Sequence, residues 1–267
     1  MKFSDKLQAA SYKNKSLLCV GLDPDIALMP RVGLLTFNKA VIDATSDLVC
    51  AYKPNLAFYE AMGIEGMRLL QKTIEHIPGH IPVIGDGKRG DIGNTAKAYA
   101  KAIFVTLGVD AATVNPYLGF DSLKPFIEYR DKGVFILCRT SNPGAADFQS
   151  LSDINGVPLY QAVAQKAKEW NVHGNIGLVV GATYPEEMKK IRTMCPEMPL
   201  LIPGVGAQGG DLTSAVKYGT DIRGEKAIIN VSRQVLYASK GKDFAESARR
   251  AAQELRDKIN GSISQVR

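Results

Sequence analysis

The chain has 267 residues, of which 45% are hydrophobic and 22% charged, and a net charge of +6. That is ordinary globular composition with enough chain for a large core, which excludes a disordered or low-complexity protein. The basic residues are spread along the chain with no run of five or more like charges, so the balance suits small anionic molecules and argues against nucleic acid.

In chain order, the N-terminal Met1-Lys2-Phe3-Ser4-Asp5-Lys6 lacks the apolar segment of a signal peptide, and no apolar run reaches 18 residues. A cytoplasmic protein with no membrane partner is expected. Ser16-Leu17-Leu18-Cys19-Val20-Gly21-Leu22 predicts the first strand, closed by Asp23-Pro24-Asp25. Helical spacing covers 35–48, and Val49-Cys50-Ala51-Tyr52 predicts a second strand ending in Lys53-Pro54-Asn55. A helix is expected over 57–75. The third strand, 81–85, runs into the charged stretch Gly85-Asp86-Gly87-Lys88-Arg89-Gly90-Asp91, and a helix follows over 94–107. Strand four is 110–114, ending in Asn115-Pro116-Tyr117; helix 121–131 leads to strand five, 133–138, ending in Arg139-Thr140-Ser141-Asn142. The polar, turn-rich stretch to about 156 predicts a long loop, with a helix over 157–170. Strand six (175–181), a helix from Pro185 to Met194 and strand seven (200–202) follow. The glycine-rich run 203–210 opens a short helix, 211–218; strand eight (226–231) ends in Ser232-Arg233, and the last helix covers 242–260.

Strands that read as continuous apolar runs suit parallel strands buried on both faces. Eight strand–helix units in a chain of this length point to an α/β fold, one closed (β/α)8 TIM barrel spanning residues 1–267 as a single domain. An open doubly wound sheet is the alternative, but G-x-G-x-x-G is missing after strand one. Cys19, Cys50, Cys138 and Cys195 contain no C-x-x-C and read as buried free thiols of a reducing compartment. Pro78-Gly79 breaks any helix between His76 and His80, so no metal pair is expected there.

Asp86 and Lys88 are two apart, which on a strand puts both on one face, about 6–7 Å apart. A solvated strand-to-helix loop is the plain reading of such a stretch. The other polar residues argue against it. Asp23, Lys53, Asn55, Asp86, Lys88, Asp91, Asn115, Thr140, Ser141 and Arg233 all follow strands, at the face where barrel enzymes place their sites. Lys53, Asp86, Lys88 and Asp91 make an alternating set of cations and anions that can persist in a dry barrel mouth because the charges cancel. The run Gly204-Val205-Gly206-Ala207-Gln208-Gly209-Gly210 offers backbone N–H groups ahead of a helix N-terminus, and Arg233 supplies a bidentate cation at the next strand end. Loops after strands seven and eight are the recurrent phosphate site of this architecture.

Taken together, Asp86-Gly87-Lys88-Arg89-Gly90-Asp91-Ile92 (D-x-K-x-x-D-I), Lys53-Pro54-Asn55, the run from Pro203 to Gly210 and Ser232-Arg233 resemble, in order, the motifs of the orotidine 5′-phosphate decarboxylases. Asn94-Thr95-Ala96 and Asn115-Pro116-Tyr117-Leu118-Gly119 resemble the longer, type 2 members. The D-x-K-x-x-D core is shared with sugar-phosphate relatives and by itself fixes only the superfamily. The resemblance implies a lyase of UMP biosynthesis that converts orotidine 5′-monophosphate to UMP and CO2 with no metal and no other cofactor. Lys88 would protonate the pyrimidine carbon that loses CO2, Asp86 would lie beside the substrate carboxylate, and Lys53 and Asp91 would complete the network. Substrate contacts are implied for Asp23, Asn55, Ile92, Thr95, Ser141, Pro203, Gln208 and Arg233. Of these, Asp23 would hold ribose hydroxyls with Lys53, Ser141 would meet the pyrimidine ring, and Gln208 and Arg233 would hold the phosphate. Asp91, Ile92 and Thr95 would act across the interface of a homodimer. Ser232 departs from the glycine that many relatives have before the arginine, and puts a side chain next to the phosphate loop. The competing readings are a Mg²⁺-dependent sugar-phosphate aldolase or decarboxylase on the same barrel, a Schiff-base lysine aldolase, and a nucleotide-phosphate binding barrel without chemistry.

Overall fold

The computed structural model describes residues 1–206 and 209–266 of the chain. The apolar runs pair side by side because water can reach neither of their faces, and the amphipathic segments between them cover the outside. α1 (Phe3–Asn14) precedes β1 (Leu18–Leu22), α2 (Leu34–Thr45) and β2 (Ala51–Pro54). Then come α3 (Leu56–Glu60), α4 (Gly63–His76), β3 (Ile84–Arg89), α5 (Gly93–Lys101), β4 (Ala111–Val114), α6 (Phe120–Ile127) and β5 (Gly133–Arg139). The rest is α7 (Leu159–Trp170), β6 (Ile176–Val180), α8 (Pro185–Met194), β7 (Leu200–Ile202), α9 (Leu212–Gly219), β8 (Ala227–Val231), α10 (Arg233–Leu236) and α11 (Phe244–Val266).

The strands form one eight-stranded sheet in the order β2-β1-β8-β7-β6-β5-β4-β3. The seam between β2 and β3 is held by parallel bridges from Tyr52 to Val83 and from Asn55 to Asp86, and by Tyr52 N donating to Pro82 O at 3.0 Å. The sheet therefore closes into the expected (β/α)8 barrel. Cys19, Ala51, Ile84, Ala111, Phe135, Val179, Leu201 and Ile228 fill its interior. A second apolar layer packs the outer strand faces on the helices. The four cysteines are free and buried. His76 ends α4 and meets Asp43 at 2.7 Å, while His80 meets Lys13, so the two histidines share no partner. Among the described residues no helix is long and apolar enough to cross a membrane.

Three local features differ from the sequence reading. α1 has no strong apolar face, yet it forms and closes the bottom of the barrel. Its Phe3 packs edge-on to Phe135 with ring centroids 5.7 Å apart, and fits only because residue 133 is glycine, where a Cβ would lie 2.5 Å from the Phe3 ring. The helix expected over 57–75 is broken into α3 and α4, with Gly63 taking a φ of +66° at the break. β3 does not stop at Gly85. It runs to Arg89, so Asp86 and Lys88 stand on the strand itself and not on a loop after it.

Candidate active site

The C-terminal ends of the strands surround a cavity of about 600 Å³, lined by Asp23, Lys53, Asn55, Asp86, Lys88, Ser141, Pro203 and Arg233, among others. The centre of its polar wall is Asp86. Pairing of β3 with β4 is irregular between Gly85 and Arg89, and Lys88 adopts a left-handed φ of 46°, rare for a side chain of this kind. The conformation is held by Thr113 on β4. Lys88 N donates to Thr113 Oγ1 at 3.0 Å, and that hydroxyl donates to Asp86 Oδ1 at 2.8 Å.

Both Asp86 oxygens carry an ammonium partner. Lys53 Nζ lies 2.7 Å from Oδ2 and Lys88 Nζ 2.6 Å from Oδ1. Lys53 also faces Asp23 Oδ1 at 4.0 Å. Asp23 is fixed in turn: its Oδ1 accepts from Asn55 N at 3.2 Å, and its carbonyl accepts from Tyr237 OH at 2.8 Å. The side chains of Lys53 and Asp86 are 5% and 8% exposed, whereas that of Lys88 is 47% exposed. Burial alone would push the Lys53 ammonium down, but the carboxylates of Asp23 and Asp86 outweigh it and hold that pKa above the ordinary lysine value. Burial would likewise raise the Asp86 carboxyl, yet Lys53 and Lys88 hold it well below the ordinary range. The result is a fixed, charged cluster in which Lys88 is the most exposed member.

The sequence reading grouped Asp91 with this cluster. In the single chain Asp91 stands outside it, makes no ion pair among the described residues, and accepts from Ile92 N at 2.8 Å. The second anion beside Lys53 is Asp23. Ile92 and Thr95 are exposed on the outside and line no part of this chain's own cavity. Asn115 is also outside; its side chain closes a turn by accepting from Tyr117 N at 3.0 Å. Asn55 caps α3 through Ala57 N and still lines the cavity.

Pro203, Gly204 and Val205 line the cavity after β7, Arg233 after β8 and Ser141 after β5. Gln208 lies outside the described residues. The N-terminus of α9 is occupied by its own Asp211, which accepts from Ser214 N at 2.7 Å. Within the glycine-rich run, Gly206 N donates to Gly210 O, Gly209 N to Gly206 O and Gly210 N to Gly204 O. Ser232 turns towards β1 and donates to Gly21 O at 3.2 Å, so its hydroxyl is engaged on β1 and not on the glycine-rich loop. Residues missed from sequence are Thr113, Gln149 and Tyr237, which all line the cavity. Thr113 had one signal, a hydroxyl inside the apolar run Ala111-Ala112-Thr113-Val114. Among the described residues no group of three His, Cys, Asp or Glu side chains is placed to hold a metal.

A family model described as orotidine 5′-phosphate decarboxylase / HUMPS family matches residues 16–250. A curated protein of Dehalococcoides mccartyi named orotidine 5′-phosphate decarboxylase is 57% identical over 265 residues, covering 97% of this chain and 98% of that protein. One of Roseiflexus castenholzii with the same name is 52% identical and covers 100% of both chains. Among solved structures, Leishmania donovani OMP decarboxylase matches with a TM-score of 0.88 at 42% identity, over 99% of this chain and 100% of that one. Leishmania donovani UMP synthase matches with a TM-score of 0.90 at 44% identity, over 98% of this chain and 57% of the longer one.

Proposed function

The chain belongs to the orotidine 5′-phosphate decarboxylase / HUMPS family and is a carboxy-lyase that decarboxylates orotidine 5′-monophosphate in pyrimidine biosynthesis; on that premise we propose that Lys88 is the proton donor and that no metal takes part. The observation that carries the proposal is the contrast across Asp86. Both lysines border the cavity, but Lys53 on one oxygen is only 5% exposed, while Lys88 on the other is 47% exposed.

When the bond between the ring carbon and its carboxylate breaks, CO2 leaves and the electron pair stays on the ring carbon. The Lys88 ammonium stabilises that pair and then supplies its proton, and solvent restores the lysine. Asp86 holds Lys88 in place before the reaction begins, so little reorganisation is needed as charge develops. Both Asp86 oxygens are engaged by ammonium groups, so a divalent cation would have to displace one of them. Asp23 and Lys53 serve the ribose hydroxyls, Ser141 the ring, and Arg233 with Gln208 the phosphate. Asn55 and Pro203 complete the walls. A cavity of about 600 Å³ is of a size that takes a nucleoside monophosphate.

The active unit in this reading is a homodimer in which Asp91, Ile92 and Thr95 complete the neighbouring site. Ile92 is 54% exposed, and Tyr99 and Phe120, on the contacting helices α5 and α6, are 37% and 40% exposed. An apolar surface beside a charged site supports a two-fold interface there. A cytoplasmic location accords with the four free thiols. The direct test is Lys88→Ala, which should abolish turnover of orotidine monophosphate and still bind UMP. Turnover at the wild-type rate by that variant would rule out Lys88 as the donor.

A further inference from the structure

Residues 143–157, in the excursion between β5 and α7, have no part in the reaction described above. From residue 143 to 157 only Ala145 and Gln149 are not exposed. Phe148 and Leu151 are 61% and 60% exposed, and Ile154 is fully exposed, so apolar burial does not hold the stretch in place. Gln149 is gripped by its own backbone: its N–H donates to Ala145 O at 2.8 Å, and its carbonyl accepts from Tyr160 N at 3.1 Å.

Its carboxamide reaches back to the end of β5. Oε1 accepts from Thr140 N at 2.8 Å and from Arg139 Nη1 at 3.3 Å, and Nε2 donates to Thr140 Oγ1 at 2.9 Å. Thr140 Oγ1 then donates to Asn142 Oδ1 at 2.7 Å. One side chain thus fixes residue 140 directly and residue 142 through it, bracketing Ser141. Arg139 is a rigid anchor, 2% exposed, paired with Glu187 and lying 3.7 Å over the Tyr184 ring. From the far side Gly181 presses on Ser141, where a Cβ would come within 2.7 Å of Ser141 N. Thr140, Ser141, Asn142 and Gln149 all line the cavity.

We propose that Gln149 is a positioning residue: through Thr140 it sets the backbone that presents Ser141 to the base of the substrate, and the excursion between β5 and α7 serves to deliver it. The inference rests on the reading that the pyrimidine ring lies against Ser141. A carboxamide suits the task because it accepts from the backbone and donates to the hydroxyl at once; glutamate keeps only the acceptor, and methionine keeps neither.

The test is calorimetric titration of wild type, Gln149→Met, Thr140→Val and the double variant with UMP and with ribose 5-phosphate, which has the sugar and phosphate but no base. Gln149→Met should weaken UMP about tenfold, the size expected when a partly buried donor loses its acceptor, and leave ribose 5-phosphate unchanged. Thr140→Val should weaken UMP as well, and the double variant should bind no worse than the weaker single variant. Should Gln149→Met not fold, Gln149→Glu carries the test, with UMP about threefold weaker and ribose 5-phosphate unchanged. Equal loss of both ligands would make Gln149 a general prop and overturn the inference, as would no loss of either. Additive losses would overturn it too, because Gln149 would then touch the base itself. Wild-type turnover of orotidine monophosphate, measured alongside, tests the decarboxylase reading separately from these binding results.

Discussion

Lys88 Nζ lies 2.6 Å from Asp86 Oδ1, and the backbone of Lys88 takes a φ of 46° where the two side chains meet. The left-handed conformation costs a non-glycine residue about 1 kcal/mol, and it persists because Thr113 receives the Lys88 N–H. Conformational strain at β3 and placement of the ammonium are therefore one feature.

Two substitutions at this position separate backbone from amine. Lys88→Gly and Lys88→Ala both remove the ammonium, and only glycine relieves the backbone. We expect both to lose at least about 10³-fold in kcat, and Lys88→Gly to be the more stable of the two by about 1 kcal/mol in urea unfolding. Equal stability of the two variants would contradict a strained Lys88.

Asp86 is expected to contribute to the acid limb of stability. A carboxyl held below its unfolded value lends stability that is present in full above that value, 3.8, and is lost as pH falls through the folded value. Asp86→Asn should therefore flatten the acid limb of the stability–pH curve below about pH 4. At neutral pH it should cost about 3 kcal/mol, because Lys53 then stays buried with only Asp23, 4.0 Å away. Urea titrations from about pH 2 to about pH 8 measure both effects. An acid limb as steep as that of wild type would speak against the depressed carboxyl.

Arg233 is exposed and lines the cavity at the end of β8. If it grips the phosphate, Arg233→Ala should raise KM about 10- to 100-fold, the size of a lost charge-assisted hydrogen bond, with a smaller change in kcat. Steady-state kinetics with orotidine monophosphate give the split, and unchanged constants would remove Arg233 from the phosphate site.

The shared site of the proposed homodimer can be read by complementation. Lys88→Ala and Asp91→Ala should each be inactive alone. Mixed in equal amounts and allowed to exchange subunits, they should recover about a quarter of wild-type activity, because half the dimers then hold one intact site. No recovery, with exchange verified, would place Asp91 in its own chain's site or outside the machinery.

The barrel was legible in the sequence because strands buried on both faces must be continuous apolar runs, as Leu18–Leu22 and Ile176–Val180 are. The extent of β3 was only half legible: spacing put Asp86 and Lys88 on one strand face, but glycines and charges carry no strand signal, and it is pairing with β4 and the Thr113 hydroxyl that carry the strand on to Arg89. α1 escaped notice because only Phe3, Ala10 and Asn14 of its residues are buried, which leaves no apolar stripe to read. The alternation of charge was visible, but the ion pairing of Asp23 with Lys53 was not, because closure of the barrel brings the two together from 30 residues apart. Gln149 gave no signal at all, since its meaning lies in a loop folding back on Thr140.

The most direct test of the central claim is the ultraviolet absorbance of orotidine monophosphate mixed with the purified protein in EDTA. We expect prompt conversion to the UMP spectrum, at the same rate with and without EDTA, and none with Lys88→Ala. Folded protein that binds UMP yet leaves orotidine monophosphate unchanged, or converts it only when a metal is restored, would contradict a metal-free decarboxylase centred on Lys88.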